Sequence, residues 1–289
     1  SNIFSMLGGL ALFLYGMNMM SNGLELAAGN KMKSILEKLT SNRILGVLVG
    51  ALVTAVIQSS SATTVMVVGF VNSGLMSLTS AVWVIMGANI GTTITGQLIA
   101  INITALAPLF AFIGVAMIVF FKSKKLDAIG TVIGGLGILF IGMETMSKAM
   151  VPLRTMPEFV GLISKFQNPL IGIIVGALFT ALIQSSSASV GILQALAKSD
   201  VMTLSSSIYV LFGQNIGTCI TSVLASIGTS KNAKRTTIIH LSFNIIGTVI
   251  FVTISLLFPF AHLIESITPN NVAAQIANVH TIFNITTTL

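Results

Sequence analysis

The stretch TAVIQSSSATTV, residues 54–65, sets a glutamine and three serines inside an otherwise oily run, and TALIQSSSASVG repeats the arrangement at 180–191. Of 289 residues, 54% are hydrophobic and only 7% charged, with a mean hydropathy of +0.99. A soluble domain carries about 25% charged residues, so this is an integral membrane protein. Unsatisfied polar groups are costly in hydrocarbon, so two identical polar knots there need a reason.

Apolar runs recur from end to end and leave no room for a separate soluble or catalytic domain. No pattern of charged, apolar and cleavage regions marks a removable signal peptide. The single cysteine, Cys219, excludes an internal disulfide framework. A pI near 9.8 could suggest nucleic acid, but the basic residues form short clusters between apolar runs without interleaved aromatics. Positive-inside topology accounts for that charge, and no nucleic acid is expected.

Gln58 and Gln184 lie 126 residues apart, and the same offset carries Gly16-Met17 onto Gly142-Met143 and Asn89–Thr92 onto Asn215–Thr218 without a gap. Roughly half of positions 45–95 are identical to their partners. Shared oiliness would not align Gln on Gln and Asn on Asn; the chain is a duplicated unit, with repeats at 1–125 and 126–289.

Spans are expected at about 4–28, 78–100, 104–121, 127–148, 203–228, 236–258 and 271–289. The QSSS regions differ: each is an apolar arm of about 14 residues (44–57; 170–183), the polar tip, and a second short arm (62–74; 188–199). At 1.5 Å per residue an arm reaches roughly 21 Å, short of the roughly 30 Å hydrocarbon core. Re-entrant helical hairpins at about 44–74 and 170–199, with tips near the midplane, are the natural shape. Charge parity agrees. With hairpins, ten of the fourteen Lys and Arg fall on one face: Lys31, Lys33, Lys38, Arg43, Lys122, Lys124, Lys125, Lys231, Lys234 and Arg235. That face should be cytoplasmic. Three crossings then separate the repeats, an odd number, so their topologies are inverted and the tips can meet midway, as in secondary transporters. The expected fold class is thus an all-α polytopic membrane protein of two inverted-topology repeats, with a cytoplasmic C-terminus.

In each tip the serines precede a new helix, where Ser caps free amides and the positive dipole end faces the midplane. Two such helix starts make an anion site without Arg or Lys. Ser59, Ser60, Ser61, Ser185, Ser186 and Ser187 add hydroxyls, and Gln58 and Gln184 offer both amide and carbonyl. A small tetrahedral oxyanion suits this set. GANIGTT (87–93) and GQNIGTC (213–219) set two glycines around Asn-Ile, so broken helices are expected at about 78–100 and 203–228. Freed carbonyls with Asn89, Thr92, Asn215 and Thr218 would form neutral hard-oxygen sites suited to Na⁺. Co-transported Na⁺ would offset the cost of moving a divalent anion through low dielectric, since the deep spans hold no basic side chain.

Other repeated features read more plainly. Gly46-x-x-x-Gly50 and Gly172-x-x-x-Gly176 are expected to be close-packing surfaces. His240-x-x-Phe243-Asn244 recurs as His280-x-x-Phe283-Asn284, placing His and Asn on one helical face for packing or helix-end hydrogen bonding. The fourteen methionines are scattered filler. Stretches 30–43 and 152–166 are amphipathic and expected in the membrane interface.

Two QSSS segments in inverted repeats, each followed by G-x-N-I-G-T, resemble the type II sodium-dependent phosphate cotransporter family in a compact prokaryotic form, across nearly the whole chain. The resemblance implies a symporter, not an enzyme, that couples inward Na⁺ movement to uptake of inorganic phosphate across the plasma (inner) membrane by alternating access. Phosphate would bind at Gln58, Ser59, Ser60, Ser61, Gln184, Ser185, Ser186 and Ser187. Thr63, Thr64, Asn89, Thr92, Thr93, Ser189, Asn215 and Thr218 become Na⁺ candidates, Na⁺ being a coupling ion rather than a cofactor. A homodimer with a mobile transport domain is implied as well. Many prokaryotic relatives carry a PhoU-like cytoplasmic domain after the last span; this sequence stops at Leu289, so such a domain is expected to be either absent or cut off. Gln214 opposite Ala88 and Cys219 opposite Thr93 break the duplication and argue against equal use of the two ion sites. The alternatives are a Na⁺-coupled transporter of another oxyanion such as sulfate, or a passive anion channel. An intramembrane serine hydrolase fails because no His, Asp or Glu adjoins either knot.

Overall fold

The computed structural model describes residues 2–38, 42–101 and 103–289. Every regular element among them is helical. In chain order these are α1 (Asn2–Lys38), α2 (Arg43–Ile57), α3 (Ser60–Asn72), α4 (Leu78–Ala100), α5 (Ala107–Phe120), α6 (Lys124–Met150) and α7 (Pro157–Ser164). There follow α8 (Pro169–Ile183), α9 (Ser186–Lys198), α10 (Leu204–Gly217), α11 (Ile220–Ala225), α12 (Lys231–Leu257), α13 (Phe260–Ile267) and α14 (Val272–Thr288). Five segments are long and apolar enough to cross a membrane: Asn2–Lys38, Leu78–Ala100, Lys124–Leu153, Leu204–Ala225 and Lys231–Leu257. The expected spans at 104–121 and 271–289 are the 17-residue segments Thr104–Phe120 and α14, at the lower limit of spanning length.

Two expectations are corrected. The first helix, expected to span about 4–28, does not stop there: α1 runs unbroken to Lys38, because Gly29 alone does not stop a helix whose amides remain paired. Residues 39–41 lie outside the described residues. At 37 residues α1 is about 56 Å long, so its lysine-bearing end reaches beyond a core of about 30 Å. The second correction concerns Gly87–Thr93, which does not break α4. Its glycines serve close approach instead. A Cβ on Gly87 or Gly91 would collide with the backbone carbonyl of Val47 or Ala51 in α2, and one on Gly50 with that of Val84. In the second repeat the same contacts recur, Gly213 on Ile173, Gly217 on Ala177 and Gly176 on Val210. Only there is the helix interrupted, at Thr218-Cys219 between α10 and α11.

The offset of 126 maps α2 onto α8 and α3 onto α9 residue for residue, and it starts α10 where α4 predicts. The related helices α1 and α6 pack along their length, antiparallel: Gly9 meets Gly142 and Met146, Gly16 meets Gly135 and Leu139, and Gly23 meets Ala128. The contact of Gly9 with Gly142 becomes that of Gly135 with Gly16 under the offset, so the pairing is its own image. Glycine is required here because backbone touches backbone. This packing sets Lys124 and Lys125, at the start of α6, beside the end of α1 that carries Lys31, Lys33 and Lys38. Leu36 of α1, Phe70 of α3 and Ala233 of α12 share one core cluster, so Lys231–Arg235 join the same end. A second cluster gathers Ile163, Ala197, Met202, Leu204 and Ile264 at the opposite end.

Candidate anion and cation site

Each QSSS knot is built from a helix end and a helix start. α2 closes at Gln58 with φ 59° and α8 at Gln184 with φ 58°, both left-handed. That region is open to glycine and costly for a side chain with a Cβ, about 1–2 kcal/mol per residue. The next residue turns extended and caps the following helix: Ser59 Oγ accepts from the Ala62 amide at 3.1 Å, and Ser185 Oγ from the Ala188 amide at 3.2 Å. The amides of Ser60, Ser61, Ser186 and Ser187 have no acceptor within their helices, because first-turn amides precede the ladder. Each turn is braced at its base, by Thr54 Oγ1 donating to Thr63 Oγ1 at 3.0 Å and by the Thr180–Ser189 hydroxyl pair at 2.7 Å.

The two knots meet. Ser60 Oγ and Ser186 Oγ stand 3.4 Å apart, and Ser61 Oγ donates to the Gln184 carbonyl at 3.2 Å. All eight expected anion ligands, and no other residue, line one cavity of about 50 Å³. One water needs about 10–15 Å³, so the space admits a few waters or one small oxyanion. The helix starts of α3 and α9 both open onto it, and their dipoles favour negative charge there.

The match between the knots is not complete. Gln58 is buried, whereas Gln184 is exposed. Thr95 Oγ1 donates to Gln58 Oε1 at 2.7 Å and accepts from Ser187 Oγ at 3.3 Å, so a residue of α4 joins the two knots. Sequence reasoning missed Thr95, although it lies one turn after Thr92. Its counterpart Thr221, in α11, donates to the Thr218 carbonyl in the break just before that helix, at 3.2 Å.

The cation candidates divide. Thr63 and Thr64 donate to the Ser59 and Ser61 carbonyls at 3.1 Å each, within the first knot, and Ser189 is fixed at the second. Thr92 and Thr93 donate to the Ala88 and Ile90 carbonyls of α4, and Thr218, at the break after α10, to that of Gln214, which leaves each hydroxyl oxygen able to accept or to ligate. Asn89 and Asn215 are held by the His-x-x-Phe-Asn motifs rather than by the knots. Asn89 donates to Asn244 Oδ1 and meets His240 Nε2, both at 3.3 Å, and Asn284 donates to Asn215 Oδ1 at 3.2 Å. The purpose of that repeated motif is therefore to dock α12 and α14 onto the Asn-Ile-Gly-Thr segments. Gln214 anchors its amide on the Ser189 carbonyl at 3.1 Å, while its Oε1, and Asn284 Oδ1, are buried acceptors without a donor. Neutral oxygens short of donors fit a hard monovalent cation such as Na⁺.

The sequence matches the family described as Na+/Pi-cotransporter over residues 12–148 and 155–273. It is 31% identical to "Uncharacterized protein YqeW" of Bacillus subtilis (strain 168) over 287 residues, 97% of this chain and 90% of that protein. It is 27% identical to "Putative inorganic phosphate export protein YjbB" of Escherichia coli (strain K12) over 90% of this chain, but spans only 47% of that protein. "Sodium-dependent phosphate transport protein 2A" of Rattus norvegicus shares 41% identity over 98 residues, 33% of this chain and 15% of that protein. No solved structure matches. The family match covers both repeats with their doubled polar knots, and the chain belongs to the Na+/Pi-cotransporter family.

Proposed function

We propose that the protein is a Na⁺-coupled transporter of inorganic phosphate, working by alternating access across the plasma membrane between two inverted repeats. The single observation that carries this reading is the cavity lined solely by the two QSSS knots, where two helix starts converge without a basic side chain. Such a cradle supplies donors to a tetrahedral anion but not enough charge to hold a dianion alone, so a co-bound Na⁺ completes it. The self-imaged antiparallel pairing of α1 with α6 supports inverted topology, and it supports reading α2–α3 and α8–α9 as hairpins entering from opposite sides. The basic clusters gathered at one end support reading that end as cytoplasmic, and we read the C-terminus as cytoplasmic too.

Inward Na⁺ movement drives uptake under this reading. An export role would follow the name of the Escherichia coli relative, and direction is then set by which ion gradient dominates. Radiolabelled phosphate uptake into proteoliposomes tests the proposal. An inward Na⁺ gradient should raise uptake at least tenfold over K⁺, and arsenate should compete where sulfate does not. Uptake that is equal in both salts identifies a passive channel; competition by sulfate identifies another oxyanion as cargo.

A further inference from the structure

The two repeats are equivalent in sequence, yet they are not packed alike, and the difference marks a route into the site. In the second repeat α6 lies against α9: Ser147 Oγ donates to the Ala195 carbonyl at 3.2 Å, and Glu144 pairs with Lys198 at 3.0 Å. Moved back by 126 residues, these positions are Ser21, Gly69, Asn18 and Asn72, and no hydrogen bond or ion pair among the described residues joins α1 to α3 there. Ser21 Oγ donates instead to the Ile57 carbonyl at 2.9 Å. Asn72 Oδ1 accepts from the Ser230 amide at 2.8 Å, and a Cβ placed on Gly69 would meet nothing within 4 Å. Where the second repeat is shut, the first holds a crevice of about 780 Å³ between Asn22, Glu25 and Lys33 of α1 and Ala62, Val65 and Met66 of α3. Along the same face of α1 it adjoins a cavity of about 330 Å³, lined by Asn18 and Ser21 and reaching Gln58, Ser59 and Ser185 of the anion site.

We infer that this crevice is the aqueous path by which a small oxyanion passes between the knots and the lysine-bearing end of α1, and that the contact of Ser147, Glu144 and Lys198 is the closed gate opposite. Asn18, Asn22, Glu25, Gly29 and Lys33 follow one another at three- to four-residue steps, which puts them on one side of α1. Polar residues within a spanning helix face protein or water rather than lipid, and here they face the crevice. Lys31, Lys33 and Lys38 at the mouth raise the local concentration of anions. Exchange of the two packings would close α1 on α3 through Ser21 and Gly69 and release α6 from α9. Opposite Asn72, Asn18 carries no charge to reproduce the Glu144–Lys198 ion pair, so the two gates differ in strength.

The identity of the cargo rests on the proposed function, but the path does not, and labelling separates them. On a Cys219→Ser chain, Asn22→Cys is treated with a membrane-impermeant anionic thiosulfonate from either side, with Lys124→Cys marking the lysine-bearing side. Asn22→Cys should react at least tenfold faster from the side on which Lys124→Cys reacts. Equal rates from both sides, or reaction only with a lipid-soluble maleimide, would overturn the path, the latter because acyl chains fill the crevice. Val65→Cys, on the opposite wall, gives the same reading if Asn22→Cys fails to insert. Adding Glu144→Gln should slow Asn22→Cys labelling at least threefold and make Ala195→Cys reactive from the other side. Unchanged rates at both positions would overturn the gate. Absence of phosphate uptake in the parent with labelling asymmetry intact would reject the proposed cargo alone.

Discussion

Glycine in place of Gln58 separates what the backbone needs at the knot from what the cargo needs. Gln58 occupies φ 59° with a Cβ, which costs about 1–2 kcal/mol that glycine would not incur. Against that gain stand two lost hydrogen bonds, from Thr95 and to the Ala55 carbonyl, about 0.5–1.5 kcal/mol net each, and the greater freedom of glycine in the unfolded chain, about 0.4–1 kcal/mol. The losses outweigh the gain, so Gln58→Gly should be about 1 kcal/mol less stable than the parent, whereas Gln58→Ala, which keeps the strain and loses the same bonds, should be less stable still. Phosphate binding should respond otherwise. One hydrogen bond to a charged group contributes about 1.5–3 kcal/mol, so both variants should bind phosphate roughly 10- to 150-fold more weakly. Thermal unfolding in detergent gives the first quantity, and calorimetric titration of phosphate at saturating Na⁺ the second. Equal loss of stability in the two variants would refute the strain argument, and parent-like phosphate affinity in Gln58→Gly would refute the contact. Carrying a glutamine where the backbone favours glycine is then the mark of a side chain retained for the ligand.

Thr95→Val removes the hydroxyl between Gln58 Oε1 and Ser187 Oγ with little change of shape; phosphate affinity should fall about fivefold, near 1 kcal/mol, and an unchanged titration would make the bridge incidental. Gly16→Ala forces a methyl into the backbone of Leu139 and should destabilise the α1–α6 pair by about 1–3 kcal/mol, while Gly8→Ala, with nothing within 4 Å, should be neutral in the same melting assay. Replacement of K⁺ by Na⁺ should raise phosphate affinity by about 5- to 150-fold, the usual coupling of 1–3 kcal/mol, and flat affinity would exclude a shared site. Gln214→Met deletes the buried oxygen that has no donor and should reduce that Na⁺ dependence more than it reduces binding at saturating Na⁺, read from the same titrations.

The elements that the sequence disclosed are those the duplication wrote twice. Gln, Ser and Asn aligned at one offset located both knots, and the shortness of the apolar arms placed their turns, because a polar interruption in an oily run has few explanations. Glycine was harder to read. In one dimension Gly87 and Gly91 look alike whether they break a helix or admit a neighbour, and only the approach of Val47 and Ala51 from α2 decides for the neighbour. The partners of Asn89 and Asn215 were hidden for a related reason, since the His-x-x-Phe-Asn motifs recur at a spacing of 40 residues, outside the main repeat.

Least legible was the asymmetry. Gln58 and Gln184 share sequence context, backbone angles and caps, yet one is buried against Thr95 and the other is exposed, and the hydrogen bond and ion pair between α6 and α9 have no counterpart between α1 and α3 among the described residues. Sequence differences explain part of this: Glu144 and Lys198 can pair where Asn18 and Asn72 cannot. The rest lies outside sequence in principle. If the repeats exchange conformations as proposed, each must be able to adopt both, and residues compatible with the shut packing are then expected in the open half too, as Ser21 and Gly69 are. On that proposal the sequence specifies the pair of packings, and which half holds which is a property of the state; single-sided labelling at Asn22 that slows when Glu144 is neutralised, while Ala195 becomes reactive from the other side, is what that account requires.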